Sequence, residues 1–128
     1  MARAASPDSD YGRSGSSTLR GIPSSPGLVR GRVRVVRDLS EAGDLRGRIL
    51  AAERTDPGWG PVFPLCAGIL VERGSVLSHA AILSRELGVP CAVGVAGLLA
   101  SVRDGDLVEL DGASGTVRIL ESSEGPAA

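Results

Sequence analysis

The only histidine of the 128-residue chain, His79, lies in "RGSVLSHAAILSRELGVP", between a turn carrying Gly74, Ser75 and Ser78 and a run with helical spacing. Imidazole is largely neutral near pH 7 and can accept a proton or attack phosphorus. Ser78 is a favourable N-cap, and Gly88 followed by Pro90 is a helix stop, so the spacing predicts a helix from His79 to Leu87. Ile82, Leu83 and Leu87 recur at three- and four-residue intervals and are expected to form its buried stripe, with Arg85 and Glu86 toward solvent. A helix N-terminus presents unpaired amide donors and the positive end of the dipole, which favour an anion. A phosphorylated histidine is such an anion. Its expected cradle is the amides near Ala80 and Ala81, the approach turn at Gly74, and the hydroxyls of Ser75 and Ser78. Two plainer readings stand beside this one. The histidine merely packs at a turn, or Ser78 and His79 form a hydrolase pair. The latter is disfavoured because adjacent residues rarely form the needed hydrogen bond and no G-x-S-x-G elbow is present.

Other chemistries are bounded by what the chain lacks. All 14 basic residues are arginine, which excludes lysine Schiff bases, biotinyl or lipoyl attachment and a Walker-type phosphate contact. Cys66 and Cys91 sit far apart in the apolar runs "PLCAGILV" and "VPCAVGV" and read as buried reduced thiols. One histidine and two separated cysteines do not make a zinc site, so no metal is expected on the chain. The 15 acidic residues balance the basic ones, which argues against nucleic acid or an anionic membrane as partner. No apolar run approaches the ~20 residues of a membrane span, and the first residues lack the apolar stretch of a secretory signal. The expected location is cytoplasmic.

The elements that would position His79 can be read on either side of it. Residues 1–20 are polar and expected to be a disordered leader, 21–120 the folded domain, and 121–128 a flexible tail. In "LVRGRVRVV", Val29, Gly31, Val33 and Val35 alternate with Arg30, Arg32 and Arg34, the pattern of a half-buried strand with a solvated arginine face. "GRILAAE", Ala67–Val71 and "CAVGV" read as buried strands, "GLLAS" as a short helix or turn, and "DLVELD" with "TVRIL" as a hairpin through "GASG". "RTDPGWGPVF" breaks the chain between two strands, with Trp59 either a packing anchor or a partner contact. Asp111, Gly112 and Gly115 read as hairpin residues. Strands outnumber helices, so the expected class is α/β with mixed sheets and few helices.

"GILVERGSVLSHAAILSRELGVPCAVGV", followed by "DGDLVELDGASGTV", closely resembles the phosphohistidine mobile domain of phosphoenolpyruvate-utilising enzymes. That group includes pyruvate phosphate dikinase, phosphoenolpyruvate synthase, sugar-transport enzyme I and rifampicin phosphotransferase. The resemblance runs from about Gly21 to Leu120, with "SPGLVRGRVRVV" similar to the family's opening strand and "TDPGW" to a loop of its synthase-like members. It implies a swivelling β/β/α domain in which His79 is transiently phosphorylated. Two positions depart: many members carry Gly-Gly where this chain has Gly74-Ser75, and threonine where it has Leu77.

The chain is too short for an ATP-grasp module or for a barrel of about 250 residues that binds phosphoenolpyruvate. The expected function is therefore a stand-alone phosphohistidine carrier. Its partners in trans would be an ATP-grasp nucleotide-binding protein, a protein that binds phosphoenolpyruvate or pyruvate, or both. ATP and magnesium would sit on the partner and no cofactor on this chain. The alternative is a non-catalytic regulatory or assembly subunit of the same fold that binds a larger synthase-like partner.

Overall fold

The computed structural model describes residues 17–122; the other residues of the expected leader and tail, 1–16 and 123–128, lie outside the described residues. The strands are β1 (Ser17–Arg20), β2 (Ile22–Ser25), β3 (Leu28–Val35), β4 (Ile49–Ala52), β5 (Gly68–Val71), β6 (Cys91–Val93), β7 (Leu107–Asp111) and β8 (Thr116–Glu121). Two helices, α1 (His79–Leu87) and α2 (Leu98–Ser101), and 3-10 turns at Leu39–Glu41 and Pro57–Leu65 complete the described elements.

The alternating segment becomes β3, and its outward arginines are neutralised in place. Arg30, Arg32 and Arg34 reach Glu109, Glu121 and Asp104 at 2.9, 2.7 and 3.1 Å. This is a solvated ion-pair face; exposed pairs of this kind are worth at most about 1 kcal/mol each. β3 serves two neighbours along its length. Leu28–Arg32 pair antiparallel with β7, and Val33–Val35 pair parallel with β4. The strand order is β1-β8-β7-β3-β4-β5-β6-β2, in which β3 to β6 run parallel.

The parallel half is covered on both faces. Leu50, Ala52, Ile69, Val71, Cys91 and Val93 face a core shared with Ala80, Ala81, Trp59 and Phe63. Ile49, Ala51, Leu70 and Ala92 face a second core with Leu98, Val108, Leu110, Val117 and Ile119. This explains why β4, β5 and β6 read as unbroken apolar runs, and it produces the expected β/β/α layering. Trp59 is buried in the first core, so it is a packing anchor.

Two expectations are corrected. Ser17–Arg20, placed with the leader, form β1, pairing with β8 from Ser17↔Ile119 to Arg20↔Thr116. Few apolar residues are needed there, because the ladder satisfies an otherwise open strand edge. On α1 the buried residues are Ala80, Ala81 and Ser84, whereas Ile82 and Leu87 are each 40% exposed and Leu83 is half-buried. The helix lies against β2 and β6, and a small-residue face permits that close approach. Ile82 and Leu87 are turned outward, whereas Leu83 packs against the first core as expected.

β1 and β2 stand at opposite ends of the strand order, yet only Gly21 separates them in sequence. The sheet therefore curls until its ends meet. At this seam the Gly21 amide donates to Gly115 and the Gly112 amide donates to Gly27, both at 2.8 Å. A Cβ on Gly112 would collide with the Ser25 carbonyl oxygen.

Candidate functional site

The loop after β5 delivers His79. Gly74 has φ +137°, a backbone angle that side-chain-bearing residues rarely adopt, and it starts the turn there. Ser75 then organises the turn itself: its hydroxyl accepts from the Leu77 amide at 3.2 Å, and its carbonyl accepts from the Ser78 amide and hydroxyl at 2.9 and 2.7 Å. Ser78 caps α1 as expected, its hydroxyl accepting from the Ala81 amide at 3.4 Å. Gly88, left-handed at φ 74°, ends the helix where the sequence places the stop.

Arg85 locks this turn to the neighbouring strand. Its Nη2 donates to the Val76 carbonyl at 2.9 Å and its Nε to the Ser24 carbonyl at 2.8 Å. The sequence reading put Arg85 on the solvent face; the residue is exposed but tied to the turn before α1 and to β2.

His79 itself is exposed, at the mouth of a cavity of about 250 Å³ lined also by Arg54, Thr55, Arg73, Gly74, Ser78 and Ala80. The 3-10 turn passes beside its ring: a Cβ on Gly60 would stand 3.9 Å from His79 Cε1. The amides of His79 and Ala80 have no acceptor among the described residues, so two donors remain for a bound anion. Of the expected cradle, Gly74, Ser78 and Ala80 line the cavity and Ser75 and Ala81 do not. Ser75 acts one step back, shaping the turn. Ala81 is fully buried and its amide is already taken by Ser78 Oγ.

The sequence reading missed Arg54, Thr55 and Arg73. They follow the C-terminal ends of β4 and β5, the edge of a parallel sheet where ligands collect. Arg73 is paired with Glu53 at 3.1 Å, whereas Arg54 has no partner among the described residues. Cys66 and Cys91 lie elsewhere, in the core beneath α1, and burial pushes both thiols up to about 11. They are not poised nucleophiles at neutral pH. No helix among the described residues is long and apolar enough to cross a membrane.

Residues 44–115 match the family described as PEP-utilising enzyme, mobile domain. The chain is 41% identical over 102 residues to rifampicin phosphotransferase of Streptomyces sviceus, covering 80% of this chain and 12% of the relative. It is 37% identical over 118 residues to phosphoenolpyruvate synthase of Aeropyrum pernix, covering 91% and 14%. The chain thus spans only about a seventh of the length of such relatives. Among solved structures it is similar to Enzyme I (nEIt), with TM-score 0.54 and 27% identity over 68% of this chain and 35% of that one. It shares its fold with Thermococcus kodakaraensis aconitase X, with TM-score 0.65 and 21% identity over 82% and 99%. With more than half of its residues matched, and the helix, its cap and the turn before it lying within the match, the chain belongs to the mobile-domain family of PEP-utilising enzymes.

Proposed function

We propose that the chain is a phosphohistidine carrier: His79 takes a phosphoryl group from a donor bound on another domain or protein and gives it to an acceptor bound on a third. The observation that carries this reading is the exposed His79 ring at a helix N-terminus, with two free amides beside it and the Arg54 guanidinium on the same cavity wall. A ring nitrogen attacks the terminal phosphorus of the donor, a nitrogen–phosphorus bond forms, and the phosphorus–oxygen bond to the donor breaks with its electron pair on the departing oxygen. The proton on the other ring nitrogen passes to water. In the second half-reaction an acceptor oxygen attacks the same phosphorus, the nitrogen–phosphorus bond breaks with its electron pair on the ring nitrogen, and the ring takes back one proton, from the acceptor hydroxyl or from water, to leave as neutral imidazole. The amides of His79 and Ala80 and the Arg54 charge stabilise the oxygens of the group in transit.

The donor site is assigned to an ATP-grasp nucleotide-binding partner that holds ATP and magnesium. The acceptor site is assigned to a partner for phosphoenolpyruvate, pyruvate or another small acceptor. The Gly74-Ser75 departure, which favours the non-catalytic alternative, loses that force because the Ser75 hydroxyl and carbonyl both stabilise the turn. The test is intact mass and acid lability after incubation with ATP, magnesium and a nucleotide-binding partner. An acid-labile phosphate adduct is expected on the parent and none on His79→Ala; an adduct of equal yield on both overturns the assignment.

A further inference from the structure

The parallel pairing of β4 and β5 runs on past the last residues of both strands: the Glu72 amide donates to the Ala52 carbonyl and the Arg73 amide to the Glu53 carbonyl, both at 2.9 Å. Arg73 and Glu53 meet again through their side chains, Nε donating to Oε2 at 3.1 Å. Glu53 thus holds its neighbour by the backbone and by the guanidinium. That contact uses Nε alone; the two η nitrogens of Arg73 have no acceptor among the described residues. Arg73 lines the His79 cavity and Glu53 does not. Directly after Arg73 the chain turns at Gly74 toward His79, so the guanidinium and the ring belong to one short segment and one cavity.

With side chains 62% and 47% exposed, this pair adds little to stability. Its effect on geometry is larger. A free arginine samples many rotamers, and an anion that binds it must freeze them. Glu53 restrains the side chain in advance from the Nε edge and leaves the end of the guanidinium, a planar fork that matches two oxygens of a phosphoryl group, uncommitted. We propose that Arg73 is a catalytic residue that grips two oxygens of the phosphoryl group on His79 through its η nitrogens, and that Glu53 is the positioning residue that holds the guanidinium for it. The identity of the group rests on the carrier reading; the binding of a phosphate at this place does not. The nitrogen–phosphorus bond forms and breaks at His79 while Arg73 neither gains nor loses a proton, and its charge faces the oxygens that stay with phosphorus throughout. A carboxylate near an anion site ordinarily weakens binding by repulsion. Here it strengthens binding, because the order it imposes on Arg73 outweighs its own charge.

The test titrates the 128-residue chain with orthophosphate at fixed pH and ionic strength and follows the Hε1 proton resonance of His79, the only histidine. The parent resonance is expected to shift saturably. Arg73→Gln is expected to weaken binding by at least about fivefold, and Arg73→Lys to recover only part of that loss, because a point charge does not replace a fork. Glu53→Ala is expected to weaken binding by about threefold although it removes a repelling charge, and Glu53→Gln, whose amide oxygen still accepts from Nε, to restore it. A parent resonance that phosphate does not move, unchanged binding in Arg73→Gln, or tighter binding in Glu53→Ala each overturns the assignment. A second measurement treats the chain with potassium phosphoramidate, a small donor that needs no partner. A ring nitrogen attacks its phosphorus, the phosphorus–nitrogen bond of the reagent breaks with its electron pair on the departing ammonia, and the ring proton passes to water. Adduct formation, read by intact mass, is expected to slow about fivefold in Arg73→Gln, and an unchanged rate overturns the catalytic role. An adduct of equal yield on His79→Ala, with the phosphate titration as expected, counts against the carrier reading and leaves Arg73 and Glu53 as a phosphate contact.

Discussion

At Ser75 a side chain replaces the hydrogen that a glycine pair would put there, and its hydroxyl supplies a turn bond in return. The neighbouring roles divide in a way the sequence shows only in part. Ser78 as cap and Gly88 as stop were legible, because both act within four residues of the helix they bound. The Ala81 amide, expected near the phosphate, is engaged by the cap hydroxyl of Ser78, a competition that residue type alone does not reveal. Arg54, Thr55 and Arg73 were invisible: Arg54 and Arg73 lie 19 positions apart, and only parallel pairing of their strands makes them neighbours. The buried thiols carry a prediction at this scale. Burial holds Cys66 and Cys91 protonated up to about 11, against an ordinary value of 9.0, so rising pH ionises them in the unfolded chain first. Their contribution is intact below about pH 9 and is lost as pH climbs toward about 11. Thermal melts across that window should show stability falling, and Cys91→Ala should flatten the fall by on the order of 2 kcal/mol. A slope unchanged in the variant would remove Cys91 as its cause.

Among elements, period-two alternation identified β3 and apolar runs identified β4, β5 and β6, since in both cases burial on one or two faces is written directly into residue type. β1 was missed because backbone pairing with β8 holds it, and backbone bonds leave no mark in side-chain hydrophobicity. The stripe of α1 was assigned to Ile82, Leu83 and Leu87, of which only Leu83 packs on the core; the face against the sheet is chosen by how near the helix must come, and alanine and serine allow the nearer approach. The same closeness governs the seam between the β7–β8 hairpin and the strand β2. Gly112→Ala forces the Ser25 backbone to move and should destabilise the protein by about 3 kcal/mol, the upper range for overpacking a tight site. Denaturant unfolding checks it; a loss below about 1 kcal/mol would mean that the seam yields easily.

For the molecule as a whole, the expected β/β/α arrangement follows once one recognises that a strand as long as β3 can belong to two layers. β1 and β8 lie side by side, with Ser17 opposite Ile119, so the described chain enters and leaves at one place. Joining 17 to 122 through a short glycine-serine linker and reopening the chain at the exposed Arg46-Gly47 turn should give a permuted protein that still folds cooperatively. A permutant lacking a cooperative melt would show that the original order of synthesis matters to the fold.

That adjacency also bears on the histidine. β1 and β8 stand at one end of the strand order, whereas His79 follows β5, toward the other. Because the sheet curls until its ends meet, β1 runs straight into β2, the strand against which α1 packs. A strain applied where the described chain enters therefore reaches the support of the helix that bears His79 through a single residue, Gly21, and need not cross the sheet.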